Sequence, residues 1–211
     1  MATVLRDLSY RYQWLYDGVS RLATLAVGGE SQFRQLPMVG VPETPGLRVL
    51  DLCCGSGQTT AFWVARGATV TGLDASPRSL DRAKVNVPEA DYVQGFAEEI
   101  PLPDNSFQVV HTSAALHEMT SDQLRQILQE ALRVLEPGGM LTTVDFHRPD
   151  STVTGRLLWP GLMTFMALFE TETSWAFIDV DLVELCKSVG FRSAEQRCYA
   201  GGSVQVVQAI A

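Results

Sequence analysis

The chain has 211 residues, and its 24 acidic side chains outnumber its 16 basic ones, for a formal net charge of −8. That length builds one domain with a sizeable core and is short for two, and a content of 46% hydrophobic and 19% charged residues is globular rather than disordered. The acidic balance argues against a nucleic-acid partner, which needs a basic footprint, and four cysteines, two of them adjacent at Cys53 and Cys54, make neither a disulfide framework nor a metal-ligand spacing.

Residues 1 to about 36 read as a helical N-terminal arm, and Gly40-Val41-Pro42-Glu43-Thr44-Pro45-Gly46 as a linker, because its Pro and Gly content holds neither helix nor strand. From residue 47 onward strand and helix signals alternate. Arg48 to Leu52 is a short buried strand, Gly57 to Arg66 a helix closed by Gly67, and Thr69 to Leu73 a second strand. Ser76 caps a helix over Pro77 to Val85, with proline at its first position. Tyr92 to Gln94 and Phe107 to Thr112 are the third and fourth strands. Thr120 and Gln123 have capping-box spacing ahead of a helix from Ser121 to Leu135, whose apolar face is Leu124, Ile127, Leu128, Ala131 and Leu135. Pro137-Gly138-Gly139 stops it, and Met140 to Phe146 is the fifth strand. A helix from Val180 to Val189 ends at Gly190, and strands Phe191 to Tyr199 and Ser203 to Ala209 meet at Gly201-Gly202.

Strands separated by helices require crossovers, hence a mostly parallel sheet with helices on both faces. A tight turn between the last two strands requires them to be antiparallel. The expectation is an α/β fold, Rossmann-like, with a seven-stranded, mostly parallel sheet that ends in an antiparallel C-terminal hairpin. Residues 1–46 form the arm and linker, and 47–211 the main domain, with an insert at about 151–175. No run of 18 apolar residues spans a membrane, and no apolar core of a signal peptide is visible near Met1. The most apolar stretch, Leu157 to Phe169, is interrupted by Pro160-Gly161. A reduced, cytoplasmic setting is expected.

In such sheets ligands bind at the C-terminal strand edge, near the switch in strand order. The first strand delivers Asp51-Leu52-Cys53-Cys54-Gly55-Ser56-Gly57 there. Gly55 and Gly57 let backbone approach a ligand closely. Asp51 suits an amine or a cation and would repel a pyrophosphate. Asp74, ending the second strand, is placed to take both hydroxyls of a ribose.

These residues resemble a known family. Asp51 to Gly57 is similar to motif I of class I S-adenosylmethionine-dependent methyltransferases, and Leu73-Asp74-Ala75-Ser76 to the ribose-binding motif after it. Gly95 to Phe107 is similar to the family's G-D-A-x-x-L-P-F-x-D-x-S-F segment, and Arg133-Val134-Leu135-Glu136-Pro137-Gly138-Gly139 to its R-V-L-K-P-G-G signature. Within the family the chain resembles the ubiquinone and menaquinone biosynthesis C-methyltransferases, through Tyr16-Asp17-Gly18-Val19-Ser20 and Gly201-Gly202-Ser203-Val204. It departs from the pattern at Cys53, in place of the first motif glycine, at Phe96, in place of the G-D-A aspartate, and at Gln108.

The resemblance implies S-adenosylmethionine as cofactor. It implies Asp51, Gly55 and Gly57 around the methionine part, Asp74 on the ribose, and Ala75 and Ser76 beside the adenine. Phe96 and Ala97 would close the adenine side, with Thr112 and Ser113 facing the sulfonium or its carboxylate. The implied reaction is methyl transfer to a small apolar or aromatic acceptor, of quinol or phenolic type. His117 is the first candidate for a base, since imidazole titrates near neutrality. Glu118 is the second, and His147 stands on the same edge. His111, inside the fourth strand, reads as structural. The arm and the insert are expected to shape the acceptor pocket, with Tyr16 and the Met and aromatic side chains of the insert read as packing before they are read as pocket wall. An open apolar face on the insert would predict an apolar or aromatic acceptor, or contact with a membrane surface. Two rival readings remain. Gly55, Gly57 and Asp74 also fit part of the fingerprint of a nicotinamide-dependent oxidoreductase, although Thr60 occupies its third glycine position. The loss of the G-D-A aspartate leaves room for a protein that binds S-adenosylmethionine without catalysis.

Overall fold

A computed structural model describes residue 24 and residues 27–149, 152–157, 160 and 172–211. Tyr16-Asp17-Gly18-Val19-Ser20, most of the arm, and residues 158, 159 and 161–171 of the insert lie outside the described residues.

The chain order begins with helix α1 (Glu30–Gln35) and a 3₁₀ turn at Leu36–Met38, then strand β1 (Arg48–Leu52) and helix α2 (Thr60–Ala65). Strand β2 (Thr69–Asp74), helix α3 (Pro77–Asn86), and strands β3 (Asp91–Gln94) and β4 (Phe107–Ser113) follow. A 3₁₀ turn at Leu116–Glu118 leads to helix α4 (Ser121–Val134) and strand β5 (Leu135–Phe146). Helices α5 (Glu172–Phe177) and α6 (Leu182–Val189) precede strands β6 (Ser193–Tyr199) and β7 (Val204–Ile210).

The strands form one seven-stranded sheet in the order β3-β2-β1-β4-β5-β7-β6. Pairs within the first five strands are parallel, and β7 runs antiparallel to both β5 and β6. The expected mixed sheet with its closing hairpin is therefore present. The order reverses between β1 and β4, which opens a crevice at their C-terminal ends.

Local chemistry accounts for the element ends. Thr120 and Gln123 make the reciprocal capping box of α4, and the Ser76 hydroxyl accepts from the Ser79 N–H with Pro77 opening α3. Several boundaries differ from the sequence reading, three of them instructively. Helix α2 begins at Thr60, because Gly55 and Gly57 at φ 57° and 83° keep the loop before it non-helical. Strand β6 begins at Ser193 rather than Phe191. Strand β5 begins at Leu135, five residues before Met140. Leu135 pairs with Phe107 and Met140 with Val109, so a bulge absorbs Glu136 to Gly139 without ending the strand.

Each sheet face buries its own layer. Leu50, Leu52, Leu73, Val110, Leu141 and Val207 pack with Leu124, Ile127, Leu128 and Ala131 of α4 and with Leu182 and Cys186 of α6. On the other face Val49, Val70 and Val109 meet Trp63 of α2 and Met38, and Val144, Val204 and Val206 meet Phe33 and Leu36. Among the described residues no helix is long and apolar enough to cross a membrane.

Candidate functional site

A cavity of about 390 Å³ opens at the C-terminal ends of β1, β2 and β4. Cys53, Gly55, Ser56 and Gln58 line it from the loop after β1, and Asp74, Ala75 and Ser76 from the end of β2. Arg78, Ser79 and Arg82 of α3 close one side, and Ala114, Ala115, Glu118 and Met119 after β4 the other.

Asp74 organises this space. Its Oδ2 accepts from the Gly55 N–H at 2.9 Å and its Oδ1 from the Ser76 N–H at 2.8 Å. Each carboxylate oxygen has two lone pairs, so each retains acceptor capacity toward a ligand. A Cβ built on Gly55 would meet no heavy atom within 4 Å, so the backbone there borders open space. Gly57 does something else. A Cβ there would meet Val87 Cγ2 at 3.3 Å and Tyr92 Oη at 3.4 Å, so this glycine lets the loop pack on α3. Asn86 Nδ2 secures the same loop by donating to the Ser56 carbonyl at 2.9 Å.

Burial pushes the Cys53 thiol well above the ordinary range, and the carboxylates of Asp74, Asp51, Glu98 and Glu118 push it further. Those carboxylates disfavour an anion and favour a cation beside Cys53, while Arg78 and Arg82 line the α3 side of the cavity.

Asp51 is not part of the lining. It is 1% exposed, its Oδ2 accepts from the Thr60 hydroxyl at 2.5 Å, and its Oδ1 lies 2.9 Å from His111 Nδ1. Strands β1 and β4 are adjacent and Asp51 is in register with His111, which puts both side chains on one face. The same row continues through Thr142 and Gln208, which hold the Pro37 carbonyl. His111 is therefore structural, as expected from its place in a strand, and Asp51 shares that buried pair.

Among the other expected residues, Ala75 and Ser76 line the cavity and Glu118 faces them from the 3₁₀ turn. Phe96 is 65% exposed and outside the lining, and Ala97 is buried beside it. Thr112 and Ser113 end β4 with buried hydroxyls that have no hydrogen-bond partner among the described residues. His147 Nδ1 lies 3.0 Å from the Gly202 carbonyl oxygen and is engaged with the hairpin turn.

His117 is 4% exposed and is not itself in the lining, although Ala115 and Glu118 on either side are. Its Nδ1 lies 2.6 Å from Asp145 Oδ1. Its ring is tilted against Phe146 at 4.8 Å between centroids and edge-on to Phe177 at 6.5 Å. Asp145 was absent from the sequence reading. A carboxylate next to the last residue of β5, on the ligand edge, is the signal that marks it.

Comparison with known proteins matches this geometry. Residues 49–139 match the family described as Methyltransferase domain. An uncharacterized methyltransferase of Synechocystis sp. is 54% identical over 209 residues, covering 99% of this chain and 97% of that protein. The chain belongs to the class I S-adenosylmethionine-dependent methyltransferases. A demethylmenaquinone methyltransferase of Renibacterium salmoninarum is 28% identical over 224 residues, covering 99% of this chain and 91% of that one. Among solved structures, phosphoethanolamine N-methyltransferase 2 of Haemonchus contortus in complex with S-adenosyl-L-methionine superposes with a TM-score of 0.67 at 16% identity, over 98% of this chain and 59% of that one. A methyltransferase of Thermotoga maritima superposes at 0.65 and 21% identity, over 98% of this chain and 99% of that one. At these identities the likeness is one of fold. This methyltransferase uses S-adenosylmethionine as its cofactor, which sets aside the nicotinamide reading, and it is an enzyme rather than a passive cofactor binder. The cavity suits that cofactor: a carboxylate with spare acceptor capacity for a diol, a bare glycine backbone, and carboxylates around Cys53 that favour a cation there.

Proposed function

We propose that this methyltransferase methylates a small apolar or aromatic acceptor of the quinol or phenolic class, with His117 taking the acceptor's proton. One observation carries the reading: a titratable imidazole is set between a buried carboxylate and two aromatic rings, one residue from the cavity wall. The similarity to a demethylmenaquinone methyltransferase supports the acceptor class.

S-adenosylmethionine supplies an electrophilic methyl group on its sulfonium. The chain supplies position and charge. Asp74 takes the ribose hydroxyls, with Ala75 and Ser76 beside the adenine and Ala97 and Phe96 toward its outer side. Gly55 gives the methionine part room, Gly57 holds the loop in shape, and Asp51 acts through Thr60 at the start of α2. Thr112 and Ser113, whose buried hydroxyls have no partner among the described residues, are assigned to the sulfonium side. A phenol or quinol hydroxyl is a poor nucleophile until it loses its proton. Transfer of that proton to the imidazole of His117 places electron density on the acceptor oxygen and the ring carbons conjugated with it, and one of these atoms receives the methyl group. Phe146 and Phe177 pack against the His117 imidazole and hold its plane.

A second assignment of the base is favoured by a separate observation. Glu118 lines the cavity directly, where His117 does not. The two are separated by incubating the protein with radiolabelled S-adenosylmethionine and reduced demethylmenaquinone, then repeating with His117→Ala and Glu118→Ala. General-base loss costs about 10²–10⁴-fold. Label in the quinol product, lost in His117→Ala and kept in Glu118→Ala, is the expected result. No label in this quinol or in simple phenols would sink the acceptor class.

A further inference from the structure

We infer that Asp145 is the positioning residue for His117: it holds the imidazole in the tautomer with hydrogen on Nδ1, so that Nε2 carries the lone pair. The inference rests on the proton-acceptor reading of His117. It comes from the way the carboxylate is itself held. Asp145 is 1% exposed, next to the C-terminal end of β5. Its Oδ1 accepts from the Phe146 N–H at 2.8 Å and its Oδ2 from the His117 N–H at 3.2 Å. Backbone amides only donate, so both oxygens are pinned as acceptors and the carboxylate cannot swing away. The remaining contact, Oδ1 to His117 Nδ1 at 2.6 Å, then requires hydrogen on Nδ1.

The same side chain binds the backbone and the ring of one residue, which fixes the imidazole in two ways. Phe146 and Phe177 stand against the ring and restrict its rotation. When the acceptor hydroxyl breaks its O–H bond, the proton goes to Nε2, the O–H electron pair stays with the acceptor, and the imidazolium formed lies beside a carboxylate already in place. The Asp51–His111 pair has the same chemistry but sits inside the sheet, with His111 fully buried, and serves as an internal structural control.

The test reads the imidazole directly. The chain has three histidines, so nitrogen-15 spectra of the labelled protein with S-adenosylhomocysteine added are assignable with His117→Gln and His147→Gln. His117 is expected to show a protonated Nδ1 with a strongly deshielded hydrogen and an unprotonated Nε2. In Asp145→Asn the amide oxygen keeps the Phe146 N–H and the NH₂ is set against the His117 N–H, so the ring loses its charged, doubly anchored partner; the Nδ1 hydrogen is expected to lose its strong deshielding, while the His111 signals stay unchanged. With reduced demethylmenaquinone as acceptor, Asp145→Asn is expected to lose about 10²-fold or more in kcat. The KM and the affinity for S-adenosylhomocysteine should stay within about twofold of wild type, since nothing in the cavity lining changes. A wild-type His117 carrying its hydrogen on Nε2 overturns the inference without any variant. So does full turnover in Asp145→Asn when His117→Ala has lost it. Full turnover in His117→Ala overturns the proton-acceptor reading, and leaves Asp145 a structural partner.

Discussion

The Asp74 carboxylate at the end of β2 accepts a 2.9 Å hydrogen bond from the backbone N–H of Gly55 in the loop after β1. The side chain proposed to hold the ribose also shapes the loop beside it, and on that proposal cofactor affinity and loop order depend on one residue. Asp74→Ala removes two charge-assisted hydrogen bonds as well as the ligand contact. At about 1.5–3 kcal/mol for a hydrogen bond to a charged group and 1.4 kcal/mol per tenfold, affinity for S-adenosylhomocysteine should fall by at least about tenfold. Calorimetric titration measures it, with NAD as a parallel ligand that should not bind. Affinity within twofold of wild type would remove Asp74 from the site.

Asp51 should behave differently, because its partners are Thr60 and His111 rather than the cavity. Removing Asp51 leaves two buried polar groups, the Thr60 hydroxyl and His111 Nδ1, without this partner, at about 1–3 kcal/mol each. For a domain of this length each kcal/mol is about 2–4 °C in Tm. Asp51→Ala should therefore melt at least about 4 °C below wild type. Calorimetry on the cofactor-free protein checks it, and an unchanged Tm would show that the pair does not support the fold.

Cys53 stands at φ 58°, in the left-handed region that glycine tolerates and other residues rarely adopt. Placing an L side chain there costs about 1–2 kcal/mol, part of which glycine returns as unfolded-chain entropy. Cys53→Gly should raise Tm by about 1–3 °C. The thiol itself should be slow to react: burial and the surrounding carboxylates keep it protonated, and the thiolate is the nucleophile. Cys186 is likewise pushed up to about 12 by burial. Mass spectrometry after limited iodoacetamide treatment should find Cys198, the exposed cysteine, labelled before Cys53, Cys54 and Cys186. Early labelling of Cys53 would contradict the buried, acidic surroundings of its thiol.

The segment after β3 is clamped to α4 through Arg133 and Glu130. Arg133 donates to the Ile100 and Leu102 carbonyls and to Glu130, while Glu130 accepts from the Ile100 N–H. The Arg133 hydrogen bond holds the Glu130 carboxyl below its ordinary value of 4.5. A lowered folded-state pKa contributes stability above the unfolded value and loses it as pH falls through the folded one. Glu130→Gln should cost about 1–2 kcal/mol at neutral pH, for a partly exposed pair. Thermal melts from neutral pH to about pH 3 should show the gap between wild type and variant closing below the ordinary glutamate value. A gap constant across that range would mean that the charge on Glu130 contributes nothing.

Much of this molecule was legible in its one-dimensional pattern, because the signals are local. Caps at Ser76 and Thr120, the glycine loop, the apolar face of α4 and the turn at Gly201-Gly202 each act within a few residues, and their order implied a parallel sheet with a closing hairpin. Asp74, Ala75 and Ser76 reached the cavity for the same reason, since a strand end and the helix cap after it are neighbours in sequence.

The pairings of side chains across strands were not legible. Asp51 and His111 are 60 residues apart, and His117 and Asp145 are 28 apart. Alternation along a strand places a side chain on one face or the other, but its neighbour depends on which strand lies alongside and in what register. Here β4 lies between β1 and β5. That order draws Asp51 into a buried pair and sets Asp145 under His117. The bulge that lets β5 run through Pro137-Gly138-Gly139 is decided in the same way, by pairing with β4. Hydrogen bonds between strands form only when the whole sheet assembles, so no window of the chain read alone contains them.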